Sequence, residues 1–203
     1  MTLRNRVTPA GEIVAEPWRG ALMGNRGRLH TGSGRAAVLG RARWRSTAWV
    51  CCVTAFRGRW REPMPEGRWT ALFFWDEAAA FAAGHRPCGE CRNRDHRRFK
   101  AAWAAAGLPG HSAGEIDRAL HAARTAPPPR VAVSDLPEGS FVATERGAML
   151  VAAGGLWRWQ PGQGGYAPAS GPAGGAGRVL TPLPVVEAFR AGYRPRMRLP
   201  SVG

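Results

Sequence analysis

Residues 72–91 read LFFWDEAAAFAAGHRPCGEC, a stretch that passes from an aromatic run through an alanine-rich segment to a pair of cysteines. The aromatic run begins at Trp69 and ends at Trp75, and its composition is typical of a β-strand. Asp76 is a favourable helix N-cap, so we expect a short helix from Glu77 to Ala83. Gly84 ends that helix, because glycine readily adopts the left-handed conformation common at helix ends. The stretch therefore predicts a strand, a short helix and a tight turn, in that order.

The tight turn carries Cys88 and Cys91, and two further cysteines, Cys51 and Cys52, lie upstream in a predicted strand, Ala48–Phe56. A Cys-x-x-Cys turn with a glycine inside it suits two thiolates on one tetrahedral zinc ion. We expect a cytoplasmic protein, since no apolar stretch follows the first basic residues as it would in a signal peptide. Cytoplasmic thiols stay reduced, which favours metal binding over disulfide bonds. The sequence therefore predicts zinc as the cofactor.

The order of features in residues 72–91 resembles the second half of the metal-binding N-terminal domain of Ada-type methylphosphotriester DNA-repair proteins. That family pairs an aromatic strand with a short alanine-rich helix, followed by an Arg-Pro-Cys-x-x-Cys turn like the one that ends at Cys91. The resemblance implies a zinc ion held by four cysteines, one of which accepts a methyl group from a DNA phosphotriester. It also implies an association with DNA.

The upstream cysteines depart from the family's pattern, in which the first two thiolates come from a Cys-x-x-x-Cys segment. Neighbouring residues of a strand point to opposite faces, so only one of Cys51 and Cys52 can easily reach the metal. Cys51 is then a candidate catalytic thiol on the other face. The predicted metal ligands are Cys52, Cys88, Cys91 and, as the fourth, His96, with His85 or solvent as alternatives to His96.

Two longer helices are predicted after the cysteine turn. The first runs from about Arg94 to Ala106, and the next starts at Ser112, where Glu115 completes a capping box. Asp117 and His121 lie one turn apart on that helix. Such a pair can act as an oriented general base, and we include both residues as catalytic candidates.

The charge of the chain is strongly positive, with 29 basic and 14 acidic residues and a net charge of +15. Residues 1–100 carry most of the excess, with 19 basic and 8 acidic residues. A field of this sign favours polyanionic partners, and we expect the partner to be DNA, single- or double-stranded. Predicted nucleic-acid contacts are Asn25 and Arg26 in a glycine-flanked turn, Arg57, Arg59, Trp60 and Arg61 at a hairpin tip, and Arg92, Arg94, Arg97 and Arg98 beside the cysteine turn.

These elements together predict an α+β fold with small antiparallel sheets and three to four short helices, organised around a zinc knuckle at Cys88 and Cys91. A proline-rich connector at residues 126–130 separates a basic zinc-containing domain, residues 1–125, from a small β-rich unit, residues 131–203. That unit ends in a short helix, Val185–Ala191, for which Thr181 is the expected cap.

The leading functional hypothesis is a zinc protein that binds DNA, in repair or damage recognition. The first alternative is a zinc-containing enzyme that acts on nucleic acid, such as a nuclease, a glycosylase or an alkyl-transfer protein. The second alternative is a zinc-structured module for protein interactions. No membrane association is expected, because no apolar run approaches the length of a membrane span.

Overall fold

The computed structural model describes residues 2–58, 63–163, 165–169 and 175–200. Within these ranges the chain folds into α-helices and β-sheets, which confirms the predicted α+β class. Short 3-10 turns span Gly34–Ala36, Val133–Asp135 and Pro161–Gln163. The α-helices of the described residues are α1 (Glu77–Ala82), α2 (Asn93–Ala105), α3 (Ala113–Thr125) and α4 (Leu183–Arg190).

The strands are short, each two to six residues long. In the first half of the chain they are β1 (Arg6–Val7), β2 (Ile13–Val14), β3 (Leu22–Asn25), β4 (His30–Thr31), β5 (Val38–Leu39), β6 (Val50–Val53), β7 (Leu72–Phe74) and β8 (Arg86–Pro87). In the second half they are β9 (Arg130–Ala132), β10 (Phe141–Thr144), β11 (Gly147–Ala152), β12 (Gly155–Gln160), β13 (Gly165–Pro168) and β14 (Ala176–Val179).

The first sheet has the strand order β2-β1-β7-β3-β6-β8 and holds the cysteine-bearing segments. Antiparallel pairs occur beside two parallel ones, β1 with β7 and β6 with β8. A parallel pair needs a long crossover connection, and the chain between β6 and β8 supplies it, since it includes β7 and α1. The crossover places the turn after β8 directly beside β6.

The second sheet is antiparallel throughout and has the order β13-β12-β11-β10-β14-β9. Its inner face packs against α1 and the end of β7, where Trp75 and Ala79 share a hydrophobic cluster with Phe141 and Leu150. The N-terminal segment contributes Trp18 to the same cluster. The two sheets therefore enclose α1 from different sides.

Helix α4 belongs to the helical part of the core. It contributes Val185 and Phe189 to a cluster with Phe81 of α1 and with Phe99 and Trp103 of α2. Residues on both sides of the proline-rich segment at 126–130 thus share two hydrophobic clusters. The division of the chain at that segment stays a prediction.

Side-chain caps explain two of the four helix starts in the described residues. The side chain of Asp76 accepts a hydrogen bond from the Ala79 N–H at 2.9 Å, and Ser112 with Glu115 forms the expected capping box. The predicted cap of the last helix is wrong, because α4 begins at Leu183 and Thr181 has another partner. The hydroxyl of Thr181 accepts the Phe141 N–H at 2.9 Å, and so it joins α4 to the second sheet.

None of the helices in the described ranges combines the length and the apolar composition that crossing a membrane requires.

Candidate metal centre

The parallel pairing of β6 with β8 builds a cluster of three thiols. Cys51 aligns with Pro87, and the Cys88 N–H donates to the Cys51 carbonyl oxygen at 3.0 Å. Cys52 points to the opposite face of β6, toward the turn. The sulfur atoms of Cys52, Cys88 and Cys91 all lie within 4.8 Å of one another, so they can hold a metal ion.

The electrostatics of the cluster agree with a cation site. The pKa of Cys88 is lowered to about 5, first by a hydrogen bond with the Cys52 thiol and also by the backbone N–H groups of Cys91 and Glu90. The same thiol contact raises the pKa of Cys52, and burial is the second cause of that increase. Burial also raises the pKa of Cys91. Three thiolates this close together repel one another, and a bound cation removes that repulsion. Thiolates are soft ligands that suit zinc, copper(I) and iron–sulfur clusters.

Cys51 lies apart from the thiol cluster, as the alternation of a strand requires. Its side chain is fully buried in a cluster with Val7, Leu72 and Phe74, and burial raises its pKa to about 12. Its sulfur accepts a hydrogen bond from Nη1 of Arg92 at 3.0 Å. A buried thiol with a raised pKa is a poor nucleophile, so Cys51 does not suit the catalytic role suggested by the sequence.

Neither histidine of the ligand prediction joins the thiol cluster. The ring of His96 faces the cysteine turn, where a Cβ at Gly89 would lie 3.4 Å from Cδ2 of His96. Its nitrogens nevertheless lie outside the group of sulfur atoms. His85 is fully buried, with ring centroids 5.2 Å from Trp49 and 4.5 Å from Phe74. Within the described residues the cluster therefore offers three ligands.

Arg92, a predicted nucleic-acid contact, is instead buried in a network of ion pairs inside the protein. It is 5% exposed and forms ion pairs with Glu77 and with Asp95. Glu77 also accepts hydrogen bonds from the Tyr193 hydroxyl at 2.6 Å and from the Arg196 N–H at 2.8 Å. Its Nε, Nη1 and Nη2 all donate inside the protein, to Asp95, to the Cys51 sulfur and to Glu77, so four of its five N–H donors are used there.

The structure does not form the predicted pair of Asp117 and His121. Asp117 is buried and accepts two hydrogen bonds from Arg86, at 2.8 and 2.7 Å. His121 instead contacts Arg124, whose Nε lies 3.3 Å from its Nδ1, and the ring of Trp44. An aspartate held by a bidentate arginine is not available to orient a general base.

The other predicted nucleic-acid residues have different environments. Arg94, Arg97 and Arg98 are exposed on α2, and Arg57 is exposed with its guanidinium over Phe56. Asn25 accepts the Gly27 N–H at 3.2 Å in a turn, and Arg26 is buried against Trp49. Arg59, Trp60 and Arg61 lie outside the described residues.

The sequence interpretation missed the residues that surround these sites. Glu77 and Tyr193 complete the Arg92 network, and Trp49 is the ring on which Arg26 and Arg124 stack. The only local sign of the Arg92 network was the pair of adjacent acids, Asp76 and Glu77, at the start of an alanine-rich helix. The partners of Glu77 come from distant segments, so the sequence alone could not identify them.

Comparison of the chain with protein-family models, with curated proteins and with solved structures gave no match in any of the three.

Proposed function

We propose that the ion bound by Cys52, Cys88 and Cys91 is zinc. The proximity of three sulfur atoms, two of them in a Cys-x-x-Cys turn, supports a tetrahedral site of the kind that zinc prefers. Solvent is our choice for the fourth ligand, and His96 is the alternative, since its ring already faces the turn. Zinc would fix β6 to the start of α2, and a cytoplasmic location would keep the thiols reduced.

We further propose that the protein binds DNA through α2, with a role in repair or damage recognition. The observation that carries this proposal is the position of the thiol cluster immediately before a helix with exposed arginines. Cys91 lies two residues from the start of α2, so a metal ion there would fix Arg94 and Arg97 in space. The net charge of +15 supports a polyanionic partner. The resemblance of residues 72–91 to the Ada-type domain supports the link to repair.

Fluorescence anisotropy with labelled duplex and single-stranded DNA tests this proposal. We expect affinity to fall with salt, with a log–log slope of about −3 or steeper. The double variant Arg94→Gln/Arg97→Gln should lower the affinity and make the slope shallower by about 2. Arg118→Gln/Arg178→Gln removes the same charge from exposed positions on α3 and β14, and it is the matched control.

Equal losses in the two double variants would mean that net charge alone attracts the DNA, and they would contradict a binding site on α2. Affinity that does not change with salt would contradict phosphate contacts altogether. A comparison of intact duplex with duplex that carries a methylphosphotriester tests damage recognition, for which we expect tighter binding to the damaged strand.

Alkyl transfer is a second candidate, because Cys88 and Cys91 are half-buried and so remain accessible. The Cys88 or Cys91 thiolate would attack the methyl carbon of the phosphotriester, the C–O bond would break, and the phosphodiester would leave with the bonding electrons. A bound zinc ion would keep the sulfur deprotonated at neutral pH. Mass spectrometry of the protein after incubation with methylphosphotriester DNA tests this step. A gain of one methyl group on Cys88 or Cys91 would support alkyl transfer. An unchanged mass in protein that still binds the DNA would contradict alkyl transfer, and damage recognition would remain as the proposed role.

A further inference from the structure

A cavity of about 500 Å³ opens between the N-terminal turns, the end of α3 and the start of α4, away from the thiol cluster. Three arginines, Arg26, Arg43 and Arg124, line it, and no carboxylate does so among the described residues. Its walls are otherwise small, apolar or aromatic, with Trp44, Trp49 and the prolines of residues 127–129. A cavity of this size and positive charge is suited to a small anion with an organic group attached.

Arg26 carries a buried positive charge without an acidic partner among the described residues. The residue is 2% exposed, and its Nη1 and Nη2 donate to the carbonyl oxygens of Gly11 and Ala83 at 2.8 and 3.4 Å. Its buried Nε has no hydrogen-bond partner in the described part of the chain. Burial lowers the pKa of Arg26 to about 9, and the charges of Arg124 and Arg43 act in the same direction. A buried cation in this state is stabilised by an anion.

Trp49 holds two of the arginines in place. The guanidinium of Arg26 lies 4.2 Å from the ring centroid of Trp49, and that of Arg124 lies 3.9 Å from it. Arg124 also donates to the Gly84 carbonyl oxygen at 2.9 Å. The two guanidiniums are therefore oriented before any ligand arrives, which lowers the entropic cost of binding.

Two exposed residues add a charge and an aromatic surface to the wall of the cavity. Arg43 and Trp44 are adjacent and exposed, and Trp44 is 36% exposed although its ring packs near the Trp49 and His121 rings. Arginine guanidiniums bind phosphate oxygens through paired hydrogen bonds, and an exposed tryptophan can stack on a nucleobase.

We propose that this arginine cavity binds the 5′-phosphate of a nucleotide, with the phosphate between Arg26, Arg43 and Arg124 and the base toward Trp44. The proposal does not depend on the thiol cluster or on duplex binding by α2. A phosphate of this kind occurs on a free mononucleotide and on the 5′ end of a DNA strand, and the chemistry of the cavity is the same for both.

Isothermal titration calorimetry of the 203-residue chain tests the proposal with four probes. These are deoxyadenosine 5′-monophosphate, deoxyadenosine, and one short single strand with either a 5′-phosphate or a 5′-hydroxyl. We expect saturable binding of a phosphorylated probe and at least tenfold weaker binding of its unphosphorylated counterpart. Preference for the mononucleotide assigns the site to free nucleotides, and preference for the phosphorylated strand assigns it to DNA ends.

Arg43→Gln should weaken binding of the phosphorylated probe about tenfold. Arg43 is exposed, so this variant should fold. Arg118 is exposed on α3 and lies outside the cavity, so the control variant Arg118→Gln should bind the phosphorylated probe as tightly as the unchanged protein does. Trp44→Ala should weaken nucleotide binding by removing the stacking surface. Equal binding of phosphorylated and unphosphorylated probes, or unchanged affinity in Arg43→Gln, would overturn the proposal.

Discussion

The guanidinium of Arg92 and the sulfur of Cys51 are joined by a hydrogen bond of 3.0 Å on the face of β6 opposite the Cys52 thiol. Arg92 lies immediately after the cysteine turn, and its other donors pair with Glu77 and Asp95. One strand thus carries a candidate metal ligand on one face and contacts a buried charge network on the other. The network and the metal ion would hold the same three segments, β6, the cysteine turn and the start of α2.

The first prediction concerns that network. Glu77→Gln leaves the buried Arg92 with a weaker set of partners, and we expect a loss of about 3 kcal/mol in the free energy of unfolding. Urea denaturation followed by tryptophan fluorescence measures it. Glu187→Gln is the control, because both partners of the Glu187–Arg190 ion pair are exposed. That pair should contribute less than about 1 kcal/mol to the free energy of unfolding. Equal losses in the two variants would contradict a structural role for the network.

The sequence predicted the elements that depend on local signals. The N-cap of α1 at Asp76 and the capping box at Ser112 follow from contacts within four residues, and the structure has both. The opposite orientations of Cys51 and Cys52 follow from the geometry of any strand. These features needed no knowledge of distant segments.

Other features depend on pairing between distant segments, and the sequence could not supply them. Arg92 looked like a surface residue beside other arginines, whereas Tyr193 and Arg196, about a hundred residues later, complete the network around Glu77. Arg26 looked like part of an exposed turn, but it is buried against Trp49 and donates to the distant carbonyl oxygens of Gly11 and Ala83. Charge patterns along a chain cannot distinguish an exposed arginine from one that stacks on a buried ring.

The second prediction concerns the close approach of strands in the first sheet. A Cβ at Gly24 of β3 would lie 2.2 Å from the carbonyl oxygen of Val50 on β6. Gly24→Ala must therefore separate the two strands, and we expect a loss of at least about 2 kcal/mol in the free energy of unfolding. Gly155→Ala is the matched control in β12, where a Cβ meets nothing within 4 Å. A loss in Gly24→Ala no larger than in Gly155→Ala would contradict the pairing of β3 with β6.

The third prediction concerns pH and the capping box of α3. Hydrogen bonds from the Ser112 N–H, the Ser112 hydroxyl and the His111 N–H lower the pKa of Glu115 to about 2. A folded-state pKa below the unfolded value of about 4.3 means that ionised Glu115 stabilises the fold above that pH. The contribution should decline as pH falls from about 4.3 toward 2.

Thermal unfolding of the unchanged protein and Glu115→Gln at pH 7, 5 and 3 measures this contribution. The difference in Tm between them should be largest at pH 7 and 5 and smaller at pH 3. Glu145→Gln, in the exposed turn between β10 and β11, serves as the control and should change Tm little at each pH. A difference for Glu115→Gln that grows as the pH falls would contradict the capping role of the carboxylate.

The zinc content of the two adjacent cysteine variants tests the central claim most directly. The unchanged protein, Cys51→Ser and Cys52→Ser are purified without added metal, dialysed exhaustively and measured by inductively coupled plasma mass spectrometry. The geometry of β6 predicts about one zinc per chain in the unchanged protein and in Cys51→Ser, and a large loss in Cys52→Ser. Full zinc in Cys52→Ser, or a folded unchanged protein that holds no zinc, would contradict a zinc site at Cys52, Cys88 and Cys91.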